Sequence, residues 1–317
     1  MVKATAKTHV KAFQPDYAVH PGEVLGEWLI EQGMTQNELA IRIGMSSKAL
    51  NQMIKGHVPV TPETSLRLEN TTGIPARIWN SFQVKYDETV ARLNRDASFR
   101  KDAELLKQVP MNALRKRGYV VSARTDTSES VREVCSFFGV ADAKALNTLW
   151  HGPIATRQKC ESLQVGNIAL ATWLRIGEIS SRGIEAPAFS RSQLRKSIPD
   201  ICSLITKSDI SKVMDAATEI CSKAGVVLLE ILEVDKSHAA SALQWVGKRP
   251  VIQVSLRQKS VDQLMRNLLH QIGHILFQGR RQEFVAVKQG AKPELFSVEK
   301  RVEEFVNQQM TAIQKSS

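Results

Sequence analysis

The sequence contains few cysteines and no long apolar run, and both absences exclude classes of protein. The four cysteines, Cys135, Cys160, Cys202 and Cys221, are widely spaced and form no CxxC pair. A zinc knuckle or a disulfide framework is therefore not expected, and buried thiols in a reducing compartment are the default. No apolar run is long enough to span a bilayer, and the N-terminal residues include no apolar segment of a secretory signal. These features predict a cytoplasmic protein without a membrane partner.

Acidic residues are scarce relative to basic ones, which suits a polyanionic partner. The 317 residues include 43 Lys and Arg against 32 Asp and Glu, a formal net charge of +11. Residues 1–100 hold 12 basic and 10 acidic residues, a net of +2, and the remaining 217 hold 31 and 22, a net of +9. The overall charge therefore singles out no DNA-binding region, and local patterns must do so. The length allows two domains of ordinary size.

Two short amphipathic segments flank Gly44 within residues 35–56. Apolar residues recur in each at steps of three and four, the spacing of one helix face. Thr35, and Ser46 or Ser47, lie where each helix would begin, and their hydroxyls can cap free backbone N–H groups. Glycine can adopt the backbone angles of a sharp corner. The pattern predicts a helix-turn-helix.

The second of these helices has a polar solvent face that suits DNA. Asn and Gln side chains can form two hydrogen bonds with adenine, and Lys reaches guanine or phosphate. The residues predicted to contact DNA are Gln36, Ser46, Ser47, Lys48, Asn51, Gln52 and Lys55. The alternative is a small helical bundle whose exposed polar face is solvated and does not bind DNA.

Three further helices complete the predicted N-terminal domain. One runs from about Pro21 to Gln32, one begins at Thr61 with Leu66 and Leu68 in the core, and one extends from 75 to about 93. We predict a flexible arm at residues 1–19 and a DNA-binding domain at residues 20–95.

Residues 20–88 resemble the HigA-like addiction-module antitoxins, a branch of the Xre/Cro repressor family. The matching blocks keep the family's order: HPGEVLGEWL (20–29), the helix-turn-helix, NQMIKG (51–56), VTPETSLRLENTTG (60–73) and IWNSFQVKYDE (78–88). The resemblance implies a five-helix, lambda-repressor-like domain that binds operator DNA as a homodimer. It also implies a repressor of its own operon that neutralises a cognate toxin protein.

The rest of the chain predicts a second domain of mixed structure. Residues 96–224 read as a helical linker region, with helices near 128–138, 141–150, 163–180, 191–206 and 209–224. A strand is predicted within 225–234, and two more around a Gly247-Lys248 turn within 242–256. Pro250 indicates an edge strand or a strand start. The fold class predicted is mainly α, in two domains, with a C-terminal α+β domain at 225–317 that contains a small antiparallel sheet.

A helix predicted from Ser260 carries His270 and His274, four residues apart on one face. This spacing lets two imidazoles bind one zinc ion. In zinc peptidases with an HExxH sequence, the glutamate takes a proton from the metal-bound water. Gln271 stands at that position here, and an amide has no basic oxygen at neutral pH. The alternative is a histidine pair that binds no metal.

The segment SVEKRVEEFVNQQM (297–310) is similar to the third-ligand segment of gluzincins, and residues 225–310 resemble the ImmA/IrrE-like metallopeptidase domain. The resemblance implies a zincin-like fold for the C-terminal α+β domain at 225–317. It also implies that His270, His274 and Glu299 bind Zn²⁺ and that a substrate strand lies beside the edge strand. Val302 and Glu303 depart from the family pattern. Gln271 is either a natural loss of the general base or an engineered substitution, and the chain as written is predicted to have no peptidase turnover.

Together, these patterns predict a DNA-binding antitoxin and autorepressor whose C-terminal domain contacts the toxin or senses a signal. One alternative is a zinc metallopeptidase that cleaves a repressor or itself, with the helix-turn-helix as its targeting module. Another is an adaptor in which the helix-turn-helix binds protein.

Overall fold

The computed structural model describes residues 17–124, 127–151, 168–237, 239–255, 260–278, 284–287 and 297–314. Most of the predicted flexible arm, residues 1–16, lies outside this range, and so does Cys160. The chain divides into two compact units, Met1–Lys101 and Asp102–Ser317. Among the described helices, none is long and apolar enough to cross a membrane.

The first unit has the five helices that the sequence predicts. They are α1 (Pro21–Glu31), α2 (Gln36–Arg42), α3 (Ser47–Ile54), α4 (Pro62–Thr72) and α5 (Ala76–Lys101). Thr35, Ser46 and Thr61 cap α2, α3 and α4, each with its hydroxyl accepting a backbone N–H three residues on. Helix α5 continues beyond the end predicted near residue 93.

Apolar side chains from all five helices and the loop before α4 form the core of this unit. The buried set is Leu25, Leu29, Leu39, Ala40, Ile43, Leu50, Met53, Val60, Leu68 and Trp79. The prediction that Leu66 lies in this core is wrong, because its side chain is 58% exposed. The inward positions of α4 are instead occupied by Thr64 and Ser65, and the Ser65 hydroxyl donates a hydrogen bond to Oδ1 of Asn80 on α5.

The second unit begins with helical structure and continues into a sheet. A 3-10 helix (Asp102–Lys107) precedes α6 (Met111–Lys116), α7 (Ser128–Phe138), α8 (Ala143–His151), α9 (Ile168–Ser181), α10 (Arg191–Lys196), α11 (Ile198–Ser203), a second 3-10 helix (Leu204–Thr206) and α12 (Ile210–Lys223). Strands β1 (Val227–Glu230), β2 (Ala239–Val246) and β3 (Arg249–Val254) follow, and then α13 (Val261–Phe277), β4 (Phe284–Val287) and α14 (Ser297–Gln314).

The sheet is mixed, with strand order β1-β3-β2-β4, and not antiparallel as predicted. Strands β2 and β3 form the predicted hairpin around Gly247 and Lys248, and β4 also pairs antiparallel with β2. Strand β1 lies beside the second strand of the hairpin, which runs in the same direction, so that pair is parallel. Pro250 is near the start of β3, before the pairing with β1 begins at Val251, where its missing N–H breaks no bond to β1.

One hydrophobic core holds this sheet together with α10, α11 and α12. Leu194, Val213 and Cys221 belong to the same buried cluster as Leu243 of β2 and Leu268 of α13. Helices α10 to α12, which the sequence assigns to the linker region at 96–224, thus share their core with the strands that it assigns to the domain at 225–317. Helices α10 to α12 need the sheet to bury their apolar faces, because apolar stripes are stable only against another element.

Buried amides fix helix α9 against the sheet. Nε2 of Gln244 donates to the Leu174 carbonyl (2.9 Å) and to Oε1 of Gln253 (2.8 Å), and Nε2 of Gln253 donates to the Trp173 carbonyl (3.1 Å). Gly177 makes this approach possible, because a Cβ there would collide with the Gln253 amide. Helix α13 packs against the same two strands, where Ser241 accepts a hydrogen bond from Gln271.

Candidate functional sites

The polar face of α3 is accessible. Among the residues predicted to contact DNA, the exposed ones are Gln36, Ser46, Ser47, Lys48 and Lys55, and the partly exposed ones are Asn51 and Gln52. Leu50 and Met53, on the other face, are buried in the core of the unit. The helix therefore presents its amide, hydroxyl and ammonium groups to solvent. Contact of these seven residues with DNA stays a prediction.

The corner between α2 and α3 is held by a residue that the sequence patterns missed. Gly44 has a φ of 65°, in the left-handed region that glycine tolerates best. From α4, Nη1 of Arg67 donates to the carbonyls of Ile43 (3.3 Å) and Gly44 (3.1 Å), while Nη2 pairs with Glu63 (2.6 Å). The guanidinium thus satisfies carbonyls that the end of α2 leaves without a helical partner. No short-range signal marks Arg67, because it lies more than 20 residues along the chain from the turn.

A second link between the two helices involves Ser47 and Asn37. The Ser47 hydroxyl donates to Oδ1 of Asn37 across 2.6 Å, and both residues are exposed. The bond orients the Asn37 amide at the same surface as the start of α3. Asn37 was not among the predicted DNA-contacting residues, and its position in α2 gave no sign of this bond.

A buried histidine, His20, caps the N-terminus of α1. Nδ1 of His20 accepts the Gly22 N–H (2.9 Å), and Oε1 of Glu23 accepts the His20 N–H (3.1 Å), which together form a capping box. The imidazole packs edge-on against the Tyr86 ring of α5, with centroids 4.7 Å apart. Burial lowers the pKa of His20, while the nearby charges of Glu23 and Asp87 oppose that shift.

In the second unit, α13 and α14 bring together the three predicted zinc ligands. Nε2 of His270 and Nε2 of His274 are 2.9 Å apart. The Glu299 carboxylate is 3.3 Å from the first of these nitrogens and 3.5 Å from the second. One ligand atom from each residue lies within 4.8 Å of the others. Two imidazole nitrogens and a carboxylate oxygen are donors that zinc accepts, and one remaining position would complete a tetrahedral set.

Two residues that the sequence did not single out as partners orient the histidines. Nδ1 of His270 lies 3.3 Å from Oε1 of Glu303, and Nδ1 of His274 lies 3.2 Å from Oε1 of Gln278. Both Nδ1 atoms are thereby engaged away from the cluster, and both Nε2 atoms face it. Such outer hydrogen bonds fix the tautomer and ring orientation of a ligating histidine. The donor set therefore fits a zinc ion.

The electrostatics of the cluster favour neutral imidazole at His274. Burial, reinforced by His270, lowers the pKa of His274 to about 3. Burial also raises the pKa of Glu299, and the Glu303 charge adds to that increase while His270 opposes it. The hydrogen bond from His270 lowers the pKa of Glu303, which therefore stays ionised as its acceptor. A buried carboxylate beside the neutral His274 imidazole is an arrangement that a cation would stabilise.

The close approach of α14 to α13 depends on Gly273. A Cβ at this position would lie 2.9 Å from Cγ1 of Val302 and 3.4 Å from Phe305, closer than such atoms normally pack. Val302 is fully buried at the contact. The glycine between the two histidines thus allows α14 to bring Glu299 within reach of both.

Gln271 occupies the predicted position of a general base but does not make the contacts of one. Its side chain is fully buried, and Nε2 donates to the Ser241 hydroxyl of β2 across 2.9 Å. Its Oε1 has no hydrogen-bond partner among the described residues. The amide therefore connects α13 to the sheet, and it offers no basic atom to a water molecule.

Comparisons with known proteins match the N-terminal region. Virulence-associated protein I of Dichelobacter nodosus is 31% identical over 81 residues, which cover 25% of this chain and 75% of that protein. The antitoxin HigA of Pseudomonas aeruginosa, solved with the higBA promoter, is 25% identical and covers 24% of this chain and 83% of its own, with a TM-score of 0.23. An addiction module antidote protein of the HigA family from Coxiella burnetii is 28% identical over 26% of this chain and 91% of its own, with a TM-score of 0.25.

A family model named Helix-turn-helix matches residues 25–79, which begin within α1 and end within α5. The match contains the capped pair α2 and α3, the Gly44 corner and the buried residues that hold them. By this match and by its likeness to the Dichelobacter nodosus protein, the chain belongs, through its N-terminal unit, to the helix-turn-helix family.

Proposed function

We propose that the protein is a DNA-binding regulator of the antitoxin type, in which α3 reads operator DNA. The observation that carries this proposal is the exposed polar face of α3, held by a buried core, by the Arg67 hydrogen bonds and by the Ser47–Asn37 bond. Asn51 and Gln52 are the candidates for reading bases, and Lys48 and Lys55 for neutralising phosphates. The family of the N-terminal unit supports this assignment.

The finer parts of the proposal rest on the sequence blocks shared with HigA-like antitoxins. The protein would bind as a homodimer, with two copies of α3 about one DNA turn apart on a near-palindromic operator. It would repress its own operon and neutralise a toxin encoded beside it. The second unit would contact that toxin or sense a signal.

A gel-shift titration with the DNA upstream of its own gene tests the DNA-binding function. Replacing Asn51 or Gln52 with alanine is expected to weaken specific binding by about 1–3 kcal/mol per lost base contact, with little effect on binding to unrelated DNA. Asn307→Ala and Gln308→Ala remove the same side chains from exposed positions of α14 and are the matched controls. Unchanged affinity and specificity in the α3 variants would rule out base reading by this helix.

The geometry of α13 and α14 supports a second function, the binding of a zinc ion. His270, His274 and Glu299 would hold the ion, and Glu303 and Gln278 would orient the imidazoles. A zinc ion in such a site supplies a Lewis acid that polarises bound oxygen atoms. The chain itself offers no general base at Gln271, so we propose a binding or structural zinc centre without peptidase turnover. A metallopeptidase in which residue 271 is glutamate is the alternative.

Calorimetric titration with zinc separates these possibilities. The chain as written is expected to bind one zinc ion per protomer and to hydrolyse no casein or unstructured peptide. His274→Ala should abolish the binding, while His57→Ala, at an exposed position of the first unit, should leave it intact. If Gln271→Glu hydrolyses peptide in a zinc-dependent manner, the enzymatic alternative is correct for the parent sequence. If the unaltered chain binds no zinc, the metal centre is disproved.

A further inference from the structure

A cleft in the second unit lies at the hairpin end of the sheet, and nothing described so far assigns a role to it. Its volume is about 610 Å³, and its walls are the end of α9, the loop at residues 186–189 and the β2–β3 turn. Clefts of roughly 300–1,000 Å³ are the size that encloses small organic ligands. The volume of the cleft therefore suits a small-molecule ligand better than a protein partner.

The lining of the cleft combines positive charge with apolar surface. Arg182, Lys248 and Arg249 contribute the cations, and none of the described residues that line the cleft carries a carboxylate. Pro187, Phe189 and Val246 are among the apolar members, next to three lining residues with small side chains, Ser181, Ala186 and Ala188. A ligand that is complementary to both features carries an anionic group and an apolar body.

The walls of the cleft are held in place before any ligand arrives. Gly225 allows the 187–189 loop to lie against the end of α12, because a Cβ there would come within 2.6 Å of the Phe189 Cα. The Ser190 N–H donates to the Ala224 carbonyl (3.0 Å), and the Phe189 ring packs edge-on against Trp245 with centroids 5.5 Å apart. Preformed walls reduce the entropy cost of binding.

Two of the cations are also oriented by the fold. Nη1 of Arg249 donates to the Ile184 carbonyl (2.5 Å), and Nη2 of Arg182 pairs with Glu178 (2.7 Å). Arg249 thus keeps further N–H groups for an anion in a fixed direction, since a guanidinium has five donors. Glu178 offsets part of the charge of Arg182, which leaves Lys248 and Arg249 as the principal anion contacts.

We propose that this cleft binds a small organic anion, a carboxylate or phosphate monoester attached to an aromatic or aliphatic body, with Lys248 and Arg249 holding the anionic group and Phe189 contacting the body. Such a ligand would be an effector of the second unit. The proposal stands apart from DNA binding and zinc binding, because it uses none of their residues.

Calorimetry and NMR chemical shifts of the full chain, without DNA or zinc, test the proposal with phenyl phosphate, phenylacetate, inorganic phosphate and neutral benzamide. Phenyl phosphate or phenylacetate is expected to bind with a Kd in the region of about 1 mM, as fits a ligand of this size. The preferred member of this pair tells a phosphate ligand from a carboxylate ligand. Inorganic phosphate and benzamide should each bind about tenfold more weakly, because each lacks one of the two features.

The variant Lys248→Glu tests the location, and Lys207→Glu is its matched control at another exposed position of the same unit. The first change should weaken binding of the anionic aryl probe about tenfold or more, and the second should leave it unchanged. Equal loss in both variants would indicate a general charge effect and overturn the proposal. It is also overturned if neither aryl anion binds at 10-fold the expected Kd of ~1 mM, or if inorganic phosphate or benzamide binds as tightly as the preferred aryl anion.

Discussion

The Gln271 amide and the Ser241 hydroxyl form a buried hydrogen bond, 2.9 Å from Nε2 to Oγ, that joins the histidine-bearing helix α13 to the sheet. We predict that Ser241→Ala lowers the free energy of unfolding by about 1–3 kcal/mol, because it leaves a buried N–H donor without a partner. Gln271→Leu keeps the approximate shape and removes that donor. Adding Gln271→Leu to Ser241→Ala should therefore recover most of the lost stability.

Urea titration of the four proteins in this double-mutant cycle measures the coupling between the two side chains. Ser203→Ala, at an exposed position of α11, is the control for loss of a serine hydroxyl. Strictly additive losses in the double variant would show that the bond contributes nothing to the attachment of α13.

The contact between Gly273 and Val302 gives a second prediction. Gly273→Ala places a methyl group 2.9 Å from Cγ1 of Val302, and we expect a loss of about 1–3 kcal/mol in stability through overpacking. The displacement of α14 should also weaken zinc binding, since Glu299 lies on that helix. Val302→Ala removes the obstructing methyl groups, so the double variant should recover zinc affinity relative to Gly273→Ala.

Thermal unfolding and zinc calorimetry on the single and double variants check this prediction. Gly183→Ala controls for the general effect of replacing glycine, because among the described residues no heavy atom beyond its chain neighbours lies within 4 Å of a new Cβ. Zinc affinity that is unchanged in Gly273→Ala would show that the helices can separate without disturbing the three ligands.

Local signals explain how much of the fold could be predicted. The caps of α2 and α3 and the Gly44 corner are properties of neighbouring residues, and the sequence therefore predicts them. The prediction that Leu66 is buried was wrong because inward positions of α4 hold hydroxyl groups that form hydrogen bonds within the unit. A search for hydrophobic periodicity does not detect such positions. The parallel pairing of β1 with β3 depends on strand order, and strand order is set by packing between distant residues.

The candidate sites also combine features that the sequence predicts with features that only the folded structure shows. The spacing of His270 and His274 places both on one helix face, and the resemblance to gluzincins supplied Glu299. Gln278 became apparent only from its 3.2 Å contact with Nδ1 of His274 in the structure. The role of Arg67 at the Gly44 corner likewise became apparent only from the packing of α4 beside that turn.

Glu303 provides a test of the orientation of His270. We predict that Glu303→Ala lowers zinc affinity about 10–100-fold, because His270 loses the acceptor that holds its Nδ1–H outward. The adjacent and exposed Glu304 serves as the control, and Glu304→Ala should bind zinc as the unaltered chain does. Competition titration with a zinc chelator measures the zinc affinity of each variant. Equal affinities of the two variants would assign Glu303 no role in the centre.

His20 makes the stability of the N-terminal unit depend on pH. Its pKa is lowered in the folded state, mainly by burial, so below pH 6.5 the unfolded chain binds the proton more readily than the folded one. The contribution of neutral His20 is therefore complete above the unfolded pKa of 6.5 and is lost as the pH falls from there towards the folded pKa. His20→Asn keeps a capping acceptor that does not titrate, and it should flatten this slope.

Urea unfolding of the full chain at several pH values between about 7.5 and 5 tests this expectation. His57→Asn, at an exposed position of the same unit, is the matched control. A pH slope that is the same in His20→Asn as in the unaltered chain would show that His20 is not its source.

Salt dependence distinguishes phosphate contacts from base contacts on α3. If Lys48 and Lys55 neutralise phosphates, each alanine substitution should reduce the slope of log K against log salt by about 1 per lost contact, and by about 2 in a dimer. Affinity for specific and unrelated DNA should fall together, unlike the selective loss expected for Asn51→Ala. Fluorescence anisotropy of labelled operator across a salt series measures the slope, with Lys207→Ala as the control in the other unit. A selective loss of operator affinity in the lysine variants, at an unchanged slope, would instead assign these side chains to base reading.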